Sequence, residues 1–228
     1  MMGARLVPAA FAAAAVITGA HAVDRVADAL SHPGGRPALV AIYYVLRTII
    51  VAAFAAFTWR RAEPYRRSRE PLALGACAVA IAAVLAFTPP GAGSARGLML
   101  AGDLVAVLGC LWLLASVLAL GRCFGVLPEA RGLVTRGPYR AVRHPVYLGE
   151  ITACAGLALA APSLRNGLVL TVFVGAQLVR MGFEERALTH AFPEYSAYAE
   201  RTPRLIPRPG PSRRSAAGAT ASHAPATQ

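Results

Sequence analysis

Residues 98–120, LMLAGDLVAVLGCLWLLASVLAL, decide the fold class. The run is 23 residues long and carries one charge, Asp103. A transmembrane helix needs about 20 consecutive, mostly apolar residues, and this run supplies them. Working outward, five further segments qualify or nearly qualify: Leu6–Ala22, Ala38–Trp59, Leu72–Thr88, Val146–Ala161 and Asn166–Met181. The last two are short, and each can extend by a turn into the interface. Between the runs lie Pro33-Gly34-Gly35, Pro89-Pro90-Gly91 and Pro162-Ser163, which is turn chemistry. The expected fold is all-α: a polytopic integral membrane protein with about six transmembrane helices.

Composition agrees. Hydrophobic residues make up 56% of the chain and charged residues 15%, a balance that soluble domains rarely show. The formal net charge is +12, with 23 basic residues that are all arginine. Such a charge can mark nucleic-acid binding, but here the arginines fall between apolar runs, few aromatics accompany them, and no nucleic-acid motif is present. The pattern is that of basic juxtamembrane loops.

The arginines also set orientation. Arg60, Arg61, Arg66, Arg67 and Arg69 follow the second run; Arg122, Arg131, Arg136, Arg140 and Arg143 follow the fourth; Arg186, Arg201, Arg204, Arg208, Arg213 and Arg214 follow the sixth. The alternate loops hold only Arg25 and Arg36, then Arg96, then Arg165. The positive-inside rule therefore expects a multi-pass protein of the cell membrane with both termini cytoplasmic. The first run, with Arg5 before it and Ala20-His21-Ala22 after it, also fits a secretory signal. Its length favours an uncleaved span, and either reading leaves the later topology unchanged. Residues 1–97 are expected to hold the first three helices, 98–207 the last three with their cytoplasmic flanks, and 208–228, rich in Pro, Ser, Ala and Gly, a disordered tail.

Cys77, Cys110, Cys123 and Cys154 form no CxxC pair and are expected to pack as small apolar residues, with no metal site. Ionisable groups within spans carry more meaning. Arg47 lies mid-span in the second run and Asp103 near the outer end of the fourth. The pair is close enough in depth for a structural ion pair, and snorkelling is the other reading of Arg47. Tyr43 and Tyr44 are expected to pack or to lie at the interface. In the sixth run Gln177, Arg180 and Glu184 recur at i, i+3 and i+7, which puts them on one stripe at the cytoplasmic end. An i,i+4 Arg–Glu pair on a solvated helix end gives the same spacing.

The segment Leu133-Val-Thr-Arg-Gly-Pro-Tyr-Arg-Ala-Val-Arg-His-Pro-Val-Tyr-Leu-Gly-Glu150 carries the chemistry. Gly137-Pro138 makes a turn. Pro145 suits the first position of the fifth helix, where a missing N–H costs nothing, and His144 falls near its N-cap. That terminus favours an anionic group, and Glu150, two turns in, complements the same dipole.

This segment and its sequel resemble the isoprenylcysteine carboxyl methyltransferase family and the related phospholipid methyltransferases. The matching residues are Leu133-Val134, Gly137-x-Tyr139, Arg143-His144-Pro145-x-Tyr147-x-Gly149, Arg180, Glu184-Glu185, Phe192-Pro193-Glu194-Tyr195-x-x-Tyr198 and Arg201-Thr-Pro203, spanning about residues 120–207. The resemblance implies a membrane-embedded methyltransferase that uses S-adenosylmethionine, with 98–207 as its core. Leu133, Val134, Tyr139, His144, Pro145, Tyr147 and Glu184 would line the cofactor pocket, and Arg180 would face the methyl acceptor. A polar cofactor contact that the family has before Leu133 finds no counterpart; Phe124 lies near that place.

These residue types suit methyl transfer, an in-line displacement that needs positioning and desolvation more than acid–base machinery. A carboxylate acceptor is already ionised at neutral pH and could be held by Arg180. Glu184 suits cationic or hydrogen-bond-donor parts of the cofactor, and His144 its carboxylate. A lipid-like or prenylated acceptor is expected to arrive sideways from the bilayer. The alternative is an NADPH-dependent membrane reductase of the sterol-reductase type, which shares the His-Pro-x-Tyr-x-Gly-Glu element. The Leu-Val-x-x-Gly-Pro-Tyr lead-in and compact length favour the methyltransferase. A non-catalytic scaffold would leave the Gln177–Arg180–Glu184 stripe unexplained.

Overall fold

A computed structural model describes residues 3–60, 66–67, 70–91, 94–125 and 129–207. Arg61 and Arg69, and the tail expected to be disordered over 208–228, lie outside the described residues. Seven α-helices follow in order: α1 (Gly3–Ser31), α2 (Gly35–Arg60), α3 (Pro71–Ala86), α4 (Arg96–Leu120), α5 (Pro145–Ala160), α6 (Leu164–Ala191) and α7 (Tyr195–Arg201). The only described strands are the two-residue pair β1 (Arg66–Arg67) and β2 (Glu129–Ala130), antiparallel to each other. The all-α expectation holds. Four helical segments are long and apolar enough to cross a membrane: Val7–Ser31, Gly35–Arg60, Arg96–Cys123 and Leu164–Ala191. The two others, α3 and α5, are apolar but 16 residues each, about 24 Å at 1.5 Å per residue.

Local chemistry explains most boundaries. Pro71 and Pro145 open α3 and α5, where no N–H is needed. α4 ends at Gly121, whose φ of 53° lets the chain turn off the helix. Ser163 caps α6 by accepting from the Asn166 N–H. Two helices outrun the hydropathy window. α1 continues through Ala20-His21-Ala22 to Ser31, and α6 runs ten residues beyond Met181 to Ala191. Both extensions are polar on their outer turns, so apolar length alone does not mark where the helix stops.

The helices pack as α1 on α2, α2 on α4, α4 on α5, α5 on α6 and α3 on α6. The α4–α5 seam is made of glycines. A Cβ at Gly149 would stand 2.8 Å from the Leu113 Cα, and one at Gly156 would overlap the Ala106 backbone. Small residues let the two backbones approach closely, as membrane helix pairs do. Ile50, Cys110, Leu113, Val117, Phe124 and Ala153 fill one core cluster, and Ala80, Ala83, Cys154, Phe173 and Ala176 a second. Leu85, Leu108 and Leu118 point outward, as lipid-facing side chains would.

Asn166, fully buried, ties three elements at one end. Its carboxamide oxygen accepts from the Thr88 N–H and hydroxyl, and its nitrogen donates to the Thr88 and Ala161 carbonyls. The expected Arg47–Asp103 pair is not formed. Asp103 is paired with Arg36 instead, Nε to Oδ2 3.2 Å. Arg36 lies at the start of α2 and Asp103 in the second turn of α4, so the two stand at one end of the helix pair and meet there. Cys77, Cys110 and Cys154 are buried thiols, as their apolar setting implies, and Cys123 is half-buried.

Candidate active site

The site forms where the start of α5 meets the C-terminal half of α6. Pro145 begins α5 and is fully buried there, on the wall of no described cavity. Two residues on, Tyr147 donates its hydroxyl to Glu184 Oε2 at 2.7 Å. A turn beyond it, Glu150 accepts from the Gln177 amide and stands 3.9 Å from Arg180 Nη1. Arg180 Nη1 also donates to Gln177 Oε1 at 2.6 Å, and its guanidinium lies 5.1 Å from the centre of the Tyr147 ring. The stripe expected from the i, i+3, i+7 spacing is therefore real, but its charges are engaged across the helix pair. Glu150, read from its position only as a complement to the helix dipole, is the acid that meets Arg180.

His144 is also committed. Its ring Nε2 lies 2.9 Å from Glu185 Oε1, and the same carboxylate holds Arg143 at 3.1 Å and Arg204 at 3.2 Å. Three cationic or titratable groups on one oxygen bind the α5 start, α6 and the C-terminal strap together. The strap adds two backbone bonds, from the Arg143 N–H to the Pro203 carbonyl and from the His144 N–H to the Arg204 carbonyl. Glu185, about 100° around the helix from Glu184, thus works on a different face.

The loop between α4 and α5 closes the site. The 3-10 turn Gly137–Arg140 needs Gly137 at φ 61° and buries Tyr139. Tyr198 of α7 donates to the Tyr139 carbonyl at 2.7 Å. Burial pushes the Tyr198 phenol up to about 12 and the Tyr139 phenol up as well, so both remain protonated at neutral pH. Phe124 stacks on Phe54, ring centres 4.6 Å apart. The side of the site where a polar contact lacked a counterpart is therefore aromatic.

Three cavities adjoin. The first is bordered by Tyr139, Arg143, His144, Tyr147, Glu150, Arg180 and Glu184. The second holds Leu133, Val134, Tyr139, Arg143, Glu184 and Tyr198 on its walls. The two share Tyr139, Arg143 and Glu184 and so form one bent, polar-edged recess. The third, about 270 Å³, is apolar, lies among the membrane-length helices, and meets the first at Phe11, Phe54, Ile81, Glu150 and Arg180. Of the eight residues singled out from the sequence, Leu133, Val134, Tyr139, His144, Tyr147, Glu184 and Arg180 come to this recess and Pro145 does not. Arg143 and Glu150 also border it and were not singled out. Arg143 stands next to His144 in the matched motif, and Glu150 is one helical turn from Tyr147, which were their available signals. Among the described residues, no three His, Cys, Asp or Glu side chains gather as a metal site would require.

The fold defines the class of all-helical proteins with helices long and apolar enough to cross a membrane, here with a polar recess that opens onto an apolar cavity. Within that class, residues 94–195 match the family model described as phospholipid methyltransferase, the family to which the isoprenylcysteine carboxyl methyltransferase-like pattern belongs. The resemblance read from the motif stands. The chain is also similar to the cobalt-zinc-cadmium resistance protein CzcN of Cupriavidus metallidurans, 40% identical over 33% of this chain and 36% of the relative. It is similar to the nickel-cobalt-cadmium resistance protein NccN of Alcaligenes xylosoxydans xylosoxydans, 32% identical over 47% of each. The chain thus spans about half or less of the length of the curated relatives it matches.

Proposed function

We propose that the protein is an S-adenosylmethionine-dependent methyltransferase of the cell membrane that methylates a lipid-like carboxylate acceptor at the cytoplasmic ends of α5 and α6. The observation that carries this reading is the junction of the polar recess with the apolar cavity at Arg180 and Glu150. The recess fits the cofactor by its donor set. Glu184 offers an anion for the cofactor's cationic or hydroxyl groups. Leu133, Val134 and Tyr139 offer flat apolar surface for a base. Arg143 borders both parts of the recess, and its Nε has no hydrogen-bond partner among the described residues. Arg143 would share with His144 the recognition of the cofactor's carboxylate; both border the recess and both also meet Glu185.

S-adenosylmethionine supplies an electrophilic methyl group on a sulfonium. The chain supplies position and a dry setting. Tyr147 holds Glu184 in place, Gln177 and Glu150 hold Arg180, and Arg180 orients the acceptor at the mouth of the apolar cavity. No general base is needed for a carboxylate. We also assign residues 98–207 as the catalytic core and 1–97 as the part that completes the acceptor cavity, since Phe11, Tyr43, Arg47 and Phe54 line it.

Calorimetric titration of the purified full chain tests this. S-adenosylmethionine is expected to bind and NADPH not to bind. Arg180→Ala is expected to keep cofactor binding and to lose methyl transfer to a lipid extract. Binding of NADPH without S-adenosylmethionine would overturn the assignment in favour of a reductase.

A further inference from the structure

Arg47 lines the apolar cavity, and the steps just described give its charge no role. It is the thirteenth of the 26 residues of α2, about 18 Å from the outer end of the helix and about 20 Å from the inner one. It is thus at mid-membrane depth, where a charge is costly and ordinarily faces a partner or a cavity. A guanidinium cannot shed its proton to escape that cost. Its expected partner, Asp103, is taken by Arg36. Glu150 faces Gln177 and Arg180. Among the described residues no acid pairs with Arg47, and its neighbours on the cavity wall, Tyr43, Cys110 and Cys154, are a phenol and two thiols.

Arg47 lines the apolar cavity together with Tyr43, Cys110 and Cys154. The same cavity reaches Glu150 and Arg180 at its inner end. Its walls therefore carry two positive charges and one negative, a balance of +1 inside an apolar enclosure. Cys154 is four residues beyond Glu150 on α5, so the Arg47 level lies about 6 Å deeper than the Glu150–Arg180 level.

We propose that Arg47 is the specificity-determining residue of this cavity: it holds the anionic group, a carboxylate or phosphate, of an acidic amphiphile whose apolar body fills the space between α2, α4 and α5. This deepens the methyltransferase reading and rests on it only for the claim that the occupant is the acceptor, whose group at Arg47 lies about 6 Å below the Arg180 level and so is a second acidic group, not the carboxylate that Arg180 presents for methylation. Neutral and zwitterionic amphiphiles leave the +1 balance unmet and are discriminated against. The cavity accordingly takes acidic lipids, and Arg47 does so without touching the cofactor.

The test is ligand binding to the full chain in nanodiscs of zwitterionic lipid, with hexadecanoate, hexadecyl phosphate, hexadecanol and hexadecylphosphocholine as probes. Hexadecanoate or hexadecyl phosphate is expected to bind at least tenfold tighter than hexadecanol or hexadecylphosphocholine. A preference for only one of the two anions would name the acidic group. Arg47→Gln is expected to abolish the preference and Arg47→Lys to keep part of it, with S-adenosylmethionine affinity unchanged in both. Cys154→Asp, which supplies an internal partner beside Arg47, is expected to abolish it with the arginine still present. Equal binding of the acidic and uncharged probes to the unaltered chain would overturn the proposal, as would a preference that survives Arg47→Gln. Cofactor binding and methyl transfer are read separately, so a chain that prefers acids through Arg47 but binds no S-adenosylmethionine would refute the methyltransferase reading alone.

Discussion

Glu150 and Arg180 sit on different helices, 30 residues apart in sequence, and their relation depends on how α5 and α6 face each other. Breaking one side of a buried pair leaves the other charge uncompensated, at a cost of about 3–5 kcal/mol. Glu150→Gln keeps the shape and a hydrogen-bonding group for Gln177 but removes the charge that holds Arg180. The guanidinium keeps its place 5.1 Å from the centre of the Tyr147 ring but loses its anionic anchor. Methyl transfer should fall by about tenfold or more, each tenfold being about 1.4 kcal/mol of lost transition-state stabilisation, while cofactor binding is kept. Steady-state rates beside calorimetry check this, and an unchanged rate would remove Glu150 from the site. The sequence made Tyr147, Arg180 and Glu184 legible because motif order and helical spacing are local properties. It left Glu150 as a dipole complement and did not show that the His144 ring meets Glu185. Both roles are fixed by a partner on another helix, Gln177 and Arg180 for one and Glu185 for the other, and spacing within one helix cannot show them.

At the scale of the element, apolar length fixed which segments are helices, and turn residues fixed most of their starts. Proline at the head of α3 and α5 and serine at the cap of α6 act within a few residues, so their effect is visible in the sequence. The close α4–α5 seam is a property of two helices together. Gly102, Gly109, Gly149 and Gly156 are spread over both, and each has the partner's backbone where a Cβ would go. Gly156→Ala should therefore push α4 and α5 apart at Ala106 and destabilise the protein by about 2 kcal/mol, as overpacking does. Gly175→Ala in α6 meets nothing within 4 Å and should leave stability unchanged or slightly raised, since alanine restricts the unfolded chain. Thermal unfolding of both variants in one detergent is the check. Equal melting temperatures for the two would contradict the seam.

For the whole molecule the question is how many helices cross. Four are long enough by themselves, yet α5 follows α6 nearly end to end. Tyr147 meets Glu184, Glu150 meets Gln177, Cys154 packs in one cluster with Phe173, and the Ala161 carbonyl accepts from Asn166. α3 also runs antiparallel to α6: Cys77 lies against Arg180, Ala80 and Ala83 cluster with Phe173 and Ala176, and Thr88 binds Asn166. A helix alongside a membrane-crossing neighbour over such a range shares its depth, and a 24 Å helix closes the remaining gap by snorkelling or local thinning of the bilayer. We therefore propose that the protein crosses six times, which would also restore the alternation of arginine-rich and arginine-poor loops. Four crossings would put Gly91 on the cytoplasmic side, and would put the loop before α5 on the opposite side from the α6 end that it touches through Glu185. In a chain with its four native cysteines replaced by alanine, single cysteines at Gly91, Leu164 and Arg201 separate the two topologies. A membrane-impermeant maleimide should label intact cells at Gly91→Cys and Leu164→Cys, and reach Arg201→Cys only after permeabilisation. Protection of Gly91→Cys in intact cells would mean that α3 does not cross, and would put the acceptor cavity in a differently threaded bundle.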